Sequence, residues 1–131
     1  MPRSGTTLLL QILDNTGEFA STRYKNLPLI RTPIIWSKLS FLYYIKNKKK
    51  IDRGHKDLIK INYNSPEALE EIFFKYYFQN KHKNFIFNYE EYSHNKSLVS
   101  EYINWIKKIC FIENKDSYLT KNNYTIFRLN F

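Results

Sequence analysis

The chain has 131 residues, enough for one hydrophobic core, and its 43% hydrophobic and 18% aromatic content excludes a disordered polymer. Its formal net charge of +9 comes from lysines scattered along the whole length, not gathered on one periodic face. That distribution favours a solvated surface over a nucleic-acid-binding protein, which Lys46–Lys50 and the 11 tyrosines would otherwise suggest.

In chain order, the apolar spacing of Leu8, Leu9, Ile12 and Leu13 predicts a helix from Gly5 to Asp14, ending before Asn15 and Gly17. Residues 22–33, with two prolines, read as a loop. Pro33 opens a second helix over 34–45, apolar nearly all round through Ile34, Ile35, Trp36, Leu39 and Leu42 and therefore expected to be mostly buried. Lys46–Lys50 reads as an exposed turn, and 59–63 alternates as a short extended piece. Ser65-Pro66-Glu67 is a helix start signal (cap, proline at the first position, acid in the first turn), followed by a stripe of Leu69, Ile72, Phe73, Tyr76 and Tyr77. Residues 84–94 are aromatic and irregular. Ser97–Ile112 reads as an amphipathic helix with Leu98, Tyr102, Ile106, Ile109 and Cys110 inward. Ser117–Thr120 reads as a strand, and Asn122 or Asn123 as the cap of a final short helix. Trp36 and Trp105 fall within apolar stripes and are expected in the core.

Cys110 is the one cysteine, so no internal disulfide forms, and no Cys/His spacing fits a zinc site; no metal is expected. No secretory signal pattern is present and no run approaches the ~20 apolar residues of a membrane span, which predicts a cytoplasmic protein.

The first residues, Pro2-Arg3-Ser4-Gly5-Thr6-Thr7, carry the chemistry. They set one guanidinium, one glycine and three hydroxyls at the start of a helix, where backbone N–H groups and the helix dipole favour an anion. Gly5 allows positive φ or close approach, and Arg3 can grip two oxygens at once. An N-capped surface helix would need only Ser4 or Thr6. Clustered hydroxyls beside an arginine point instead to a phosphate- or sulfate-binding loop. The four-residue spacing and Gly-Lys-Ser/Thr ending of a Walker A loop are absent.

This loop resembles that of the sulfotransferase family, which reads Pro-Arg/Lys-Ser-Gly-Thr-Thr. Three further segments, in the same order, are similar to one bacterial-type group: Arg23-Tyr24-Lys25-Asn26-Leu27-Pro28-Leu29; Asp52-Arg53-Gly54-His55-Lys56-Asp57 with Ser65-Pro66-Glu67-Ala68-Leu69-Glu70-Glu71; and Tyr118-Leu119-Thr120-Lys121-Asn122-Asn123 with Arg128-Leu129. The resemblance implies an α/β, helix-rich fold of the P-loop NTPase-like sulfotransferase type. Residues 1–131 would form a partial domain, incomplete at both ends, without the strand before the loop and the later Arg…Ser pair for the donor's 3′-phosphate. An incomplete sheet of this kind is expected to be poorly stable or to aggregate. It also implies transfer of a sulfuryl group from 3′-phosphoadenosine 5′-phosphosulfate to a hydroxyl of a small-molecule, glycan or lipid acceptor. An inactive fragment is the alternative.

Under that resemblance Arg3 neutralises charge on the leaving phosphate, while Ser4, Gly5, Thr6 and Thr7 hold the 5′-phosphate of the donor. Lys121 resembles a lysine near the donor or acceptor pocket, with Asn122 sharing that role or capping the next helix. Glu18 is a base candidate by the same comparison. From the residues themselves, His55 is the best candidate base, since an imidazole titrating near neutrality can take a hydroxyl proton, with Asp52 and Asp57 near enough in sequence to orient it. His82 and His94 sit among lysines and asparagines and carry less weight.

Overall fold

The structure is a computed structural model and describes residues 5–44, 51–52, 60–78 and 96–122. It is a small helix-rich α/β chain. Helix α1 spans Thr6–Asn15, as the leucine spacing predicts, and closes through Gly17 at φ 75°, a value that favours glycine. Its apolar side is only partly used: Thr7 and Leu10 are buried, whereas Leu8, Leu9 and Ile12 stand exposed. Strand β1, Phe19–Ala20, follows at once; two residues are too few for an alternation to be read from sequence.

The segment expected as a loop holds a 3-10 helix, Tyr24–Leu29. The Asn26 side chain accepts the Arg23 N–H at 2.7 Å, and the Asn26 N–H bonds back to the Arg23 carbonyl at 2.8 Å, which closes that turn. Helix α2, Pro33–Tyr44, starts at the expected proline, which is fully buried. It is not buried all round: Ile35 and Leu39 are 58% and 53% exposed, and among the described elements α2 packs chiefly against the 3-10 segment and the last long helix. The expected turn at 46–50 lies outside the described residues.

Two short antiparallel strands follow, β2 (Ile51–Asp52) and β3 (Lys60–Ile61), the second within the predicted extended piece. Helix α3 begins at Glu70, not at Pro66, and runs to Phe78. The start signal is overruled by tertiary pairing: the Glu67 N–H donates to the Thr22 carbonyl at 2.9 Å, and Arg23 and Pro66 form a bridge. The buried face of α3 is Leu69, Glu70, Phe73 and Phe74, so Ile72 and Tyr76 of the expected stripe lie outward. Arg31 covers the Tyr76 ring, with its guanidinium carbon 4.0 Å from the centroid.

Helix α4, Lys96–Glu113, matches the expected amphipathic helix, with Leu98, Trp105 and Ile109 buried and Tyr102, Ile106 and Cys110 packed at the edge of the core. It ends at Asn114 in a left-handed conformation, φ 54°, with the Lys115 N–H bonded to the Cys110 carbonyl at 3.0 Å. Strand β4, Ser117–Tyr118, then pairs parallel with β1, Phe19 opposite Ser117 and Ala20 opposite Tyr118. The core is one cluster of Ala20, Ile30, Leu69, Phe73, Phe74, Leu98, Trp105 and Ile109. Trp105 stacks on Phe73 at 5.2 Å and donates its indole N–H to the Ile30 carbonyl at 2.7 Å, a core role as expected. Trp36 is half-buried and donates to the Lys25 carbonyl at 2.6 Å, tying α2 to the 3-10 segment.

Arg23 links three elements. Its guanidinium donates to both Asp14 oxygens at 2.8 and 3.0 Å, to Glu113 at 3.0 Å and to the Asn64 carbonyl at 2.7 Å. Lys25 completes the cluster, 2.8 Å from the other Glu113 oxygen. Burial opposes both charges, yet each is held: the carboxylates raise the Arg23 pKa, and Lys25 with Arg23 lowers that of Glu113.

Candidate functional site

The N-terminus of α1 begins at Gly5, φ 71° and ψ 1°, a left-handed conformation that an L side chain adopts at a cost. A Cβ there would meet nothing within 4 Å, so the requirement is conformational, not spatial. Gly5 is the N-cap, and no side-chain cap hydrogen bond is made there among the described residues. Thr6 is the first helical residue and not the cap, and Ser4, the other candidate cap, lies outside the described residues.

A second segment meets this turn from far along the chain. Lys121 donates through its ammonium to the Thr7 hydroxyl at 3.2 Å, across 114 residues. The β1–β4 pairing makes this contact possible: the Leu119 N–H bonds the Ala20 carbonyl at 2.8 Å and the Ser21 hydroxyl bonds the Leu119 carbonyl at 3.1 Å. The chain leaving β4 is thus carried to the start of α1, so Gly5, Thr6, Thr7 and Lys121 lie beyond the carboxyl end of a parallel strand pair. Anionic ligands of α/β proteins bind characteristically at such ends. Asn122 donates to Glu71 of α3 at 2.8 Å, which anchors the segment behind Lys121.

Beneath it, the Tyr118 phenol and the Thr120 hydroxyl are buried with no hydrogen bond of normal geometry among the described residues. Burial, reinforced by the Glu70 carboxylate, pushes the Tyr118 pKa well up; the hydroxyls of Thr22 and Thr120 act the other way. Glu70 itself accepts from the Tyr102 hydroxyl. Tyr118 is therefore a neutral phenol packed against the core beside Trp105, not a proton carrier near neutral pH.

The structure brings together Gly5, Thr6, Thr7 and Lys121. Arg3, Ser4 and His55 lie outside the described residues, as do Asp57, His82, His94 and Asn123. Glu18 is placed elsewhere: it is exposed and follows the C-terminal end of α1, roughly 15 Å of helix from Gly5, so it cannot act as the base of this site. Glu71 was missed by sequence reasoning, because an acid in a first turn reads as a dipole partner facing water. No three His, Cys, Asp or Glu side chains among the described residues are grouped to hold a metal. No described helix is long and apolar enough to cross a membrane. No family model, curated protein or solved structure matches the chain.

Proposed function

We propose that the chain is a sulfotransferase-type domain of P-loop-like α/β fold that grips the 5′-phosphosulfate of 3′-phosphoadenosine 5′-phosphosulfate at the N-terminus of α1. The observation that carries this reading is the Lys121–Thr7 contact, which joins two of the four resembling segments at one helix end. The left-handed Gly5 at the start of α1 supports it, since a glycine there lets the backbone come close to an anion at the helix N-terminus.

In sulfuryl transfer, negative charge grows on the bridging phosphate oxygen as the S–O bond breaks. Preorganised N–H groups and cations at that point lower the barrier more than they strengthen ground-state binding. The N–H groups of Gly5, Thr6 and Thr7 face the phosphate, Lys121 adds a charge from the β4 side, and Arg3 neutralises the leaving oxygen. His55 takes the acceptor's hydroxyl proton. The acceptor is a hydroxyl compound of a small molecule, glycan or lipid, because no residue pattern selects among them.

The test is release of adenosine 3′,5′-bisphosphate from the donor in the presence of phenol, glucose or dodecanol, comparing the natural chain with Arg3→Ala. The reading expects release with at least one acceptor and its loss in turnover for the variant, at unchanged thermal unfolding. Equal release by Arg3→Ala would remove Arg3 from the mechanism, and no release with any acceptor would remove transferase activity from this chain.

A further inference from the structure

A cleft of about 410 Å³ opens between the 3-10 segment, α2 and the end of α4, walled by Lys25, Asn26, Ile34, Ser37, Lys38 and Phe111. Its Lys25 side adjoins the ion-pair cluster around Asp14, at the opposite end of α1 from Gly5. It is therefore separate from the anion site and independent of the sulfuryl-transfer reading. The volume lies in the range of small-molecule sites.

The wall is built, not incidental. Asn26 is only 3% exposed, and its Oδ1 is committed to the Arg23 N–H at 2.7 Å. That bond fixes which way the amide points, and the Nδ2 group donates to no described residue while its side chain lines the cleft. Unpaired among the described residues and not sealed from solvent, these N–H groups are open to water or a ligand in the cleft. The supporting backbone is held from three directions. The Lys25 N–H donates to the Tyr63 carbonyl at 2.9 Å, the Lys25 carbonyl accepts from Trp36 at 2.6 Å, and the Asn26 N–H closes the turn onto Arg23.

The chemistry of the walls selects the ligand. Lys38 carries an ammonium with no ion pair among the described residues. Lys25 is neutralised by Glu113, whose second charge partner is Arg23, so Lys38 leaves the cleft with a net positive balance. The Ser37 hydroxyl proton is committed to the Ile34 carbonyl at 2.8 Å, so its oxygen can only accept. Ile34, one turn before Lys38 on the same face of α2, and Phe111 of α4, 75% exposed, supply the apolar part of the lining. Amide donors and a cation without an ion pair among the described residues, beside an aliphatic and an aromatic side chain, fit a flat organic anion.

We propose that this cleft binds a small aromatic carboxylate, with its carboxylate on Asn26 Nδ2 and Lys38 and its ring between Ile34 and Phe111. The test is protein-detected NMR titration of the whole chain with 2-naphthoate, and with uncharged 2-naphthamide as the isosteric control. Saturable shifts at the Asn26 side-chain amide, Ser37 and Lys38 are expected for the acid, with the amide bound about tenfold more weakly or worse. Asn26→Asp keeps the acceptor for the Arg23 N–H but replaces the donor by a negative charge, and should weaken naphthoate at least about tenfold. Lys38→Gln changes an exposed side chain, so it tests the charge without risk to folding; a loss of about fivefold is expected. Equal binding of acid and amide, an unchanged affinity in Lys38→Gln, or no saturable binding of naphthoate would each overturn the proposal.

Discussion

Replacing Arg23 by alanine should cost this chain more than any surface change, and the structure sets the size. The guanidinium makes four charge-assisted hydrogen bonds, two to Asp14 and one each to Glu113 and the Asn64 carbonyl. Glu113 keeps Lys25 as a partner, but the Asp14 side chain, 10% exposed, is left with its charge unpaired. Breaking a buried pair from one side costs about 3–5 kcal/mol. Residual exposure at Arg23 and Asp14 admits some water, so the lower end, about 3 kcal/mol, applies. With an unfolding entropy of about 0.3 kcal/mol/K for 131 residues, the melting temperature should fall by about 10 °C. The assay is urea and thermal unfolding followed by tryptophan fluorescence, since Trp36 and Trp105 both lie in contacts that unfolding destroys. Acid provides an internal check. The Glu113 pKa is depressed in the folded state from an ordinary 4.5, so its pairing stabilises the chain above that pH and is lost as pH falls through the lower folded value. The gap between natural chain and variant should therefore shrink below about pH 4.5. A loss under about 0.5 kcal/mol at pH 7 would refute the reasoning, placing the cluster among surface pairs of little worth.

Phe74, 1% exposed against Phe73 and Tyr102, should cost about 3–5 kcal/mol when changed to alanine, read by the same unfolding curves. Gly5→Ala should cost about 1 kcal/mol through its φ of 71°, since space for the methyl is present, and the same variant should weaken donor binding. Cys110, whose pKa burial and Asp116 push up from an ordinary 9.0, should alkylate with iodoacetamide several-fold more slowly than free cysteine at pH 8, the rate rising as pH increases further.

The helices were legible where one amphipathic period could act alone. Helix α4 repeats Leu98, Trp105 and Ile109 on one side, which the structure buries, while Ile103 and Phe111 stand outward. Helix α3 starts later than Ser65-Pro66-Glu67 implies because that locally good start is tied instead to residues 22–24, through Glu67 with Thr22, the Arg23–Pro66 bridge and Tyr24 with Ser65. Helix α2 shows the converse: an all-round apolar sequence implies burial, but exposure depends on which neighbours arrive, and among the described elements these are chiefly the 3-10 segment and α4. For the site, the glycine and threonines were legible because a turn with positive φ and donor hydroxyls are local requirements. The arrival of Lys121 at Thr7 was suggested by resemblance only, since it depends on the parallel pairing of two two-residue strands. Glu18 fails as a base for a reason of length: a ten-residue helix separates it from the turn it was meant to serve.

The central claim is that the start of α1 and the chain leaving β4 together hold the donor. Calorimetric titration of the chain with 3′-phosphoadenosine 5′-phosphosulfate, repeated on Lys121→Ala, tests it most directly. The account predicts saturable binding that weakens about tenfold or more in the variant, the value of one charge-assisted contact, while thermal unfolding stays within about 1 kcal/mol. An affinity equal in the two chains, or no binding at millimolar donor, would contradict it.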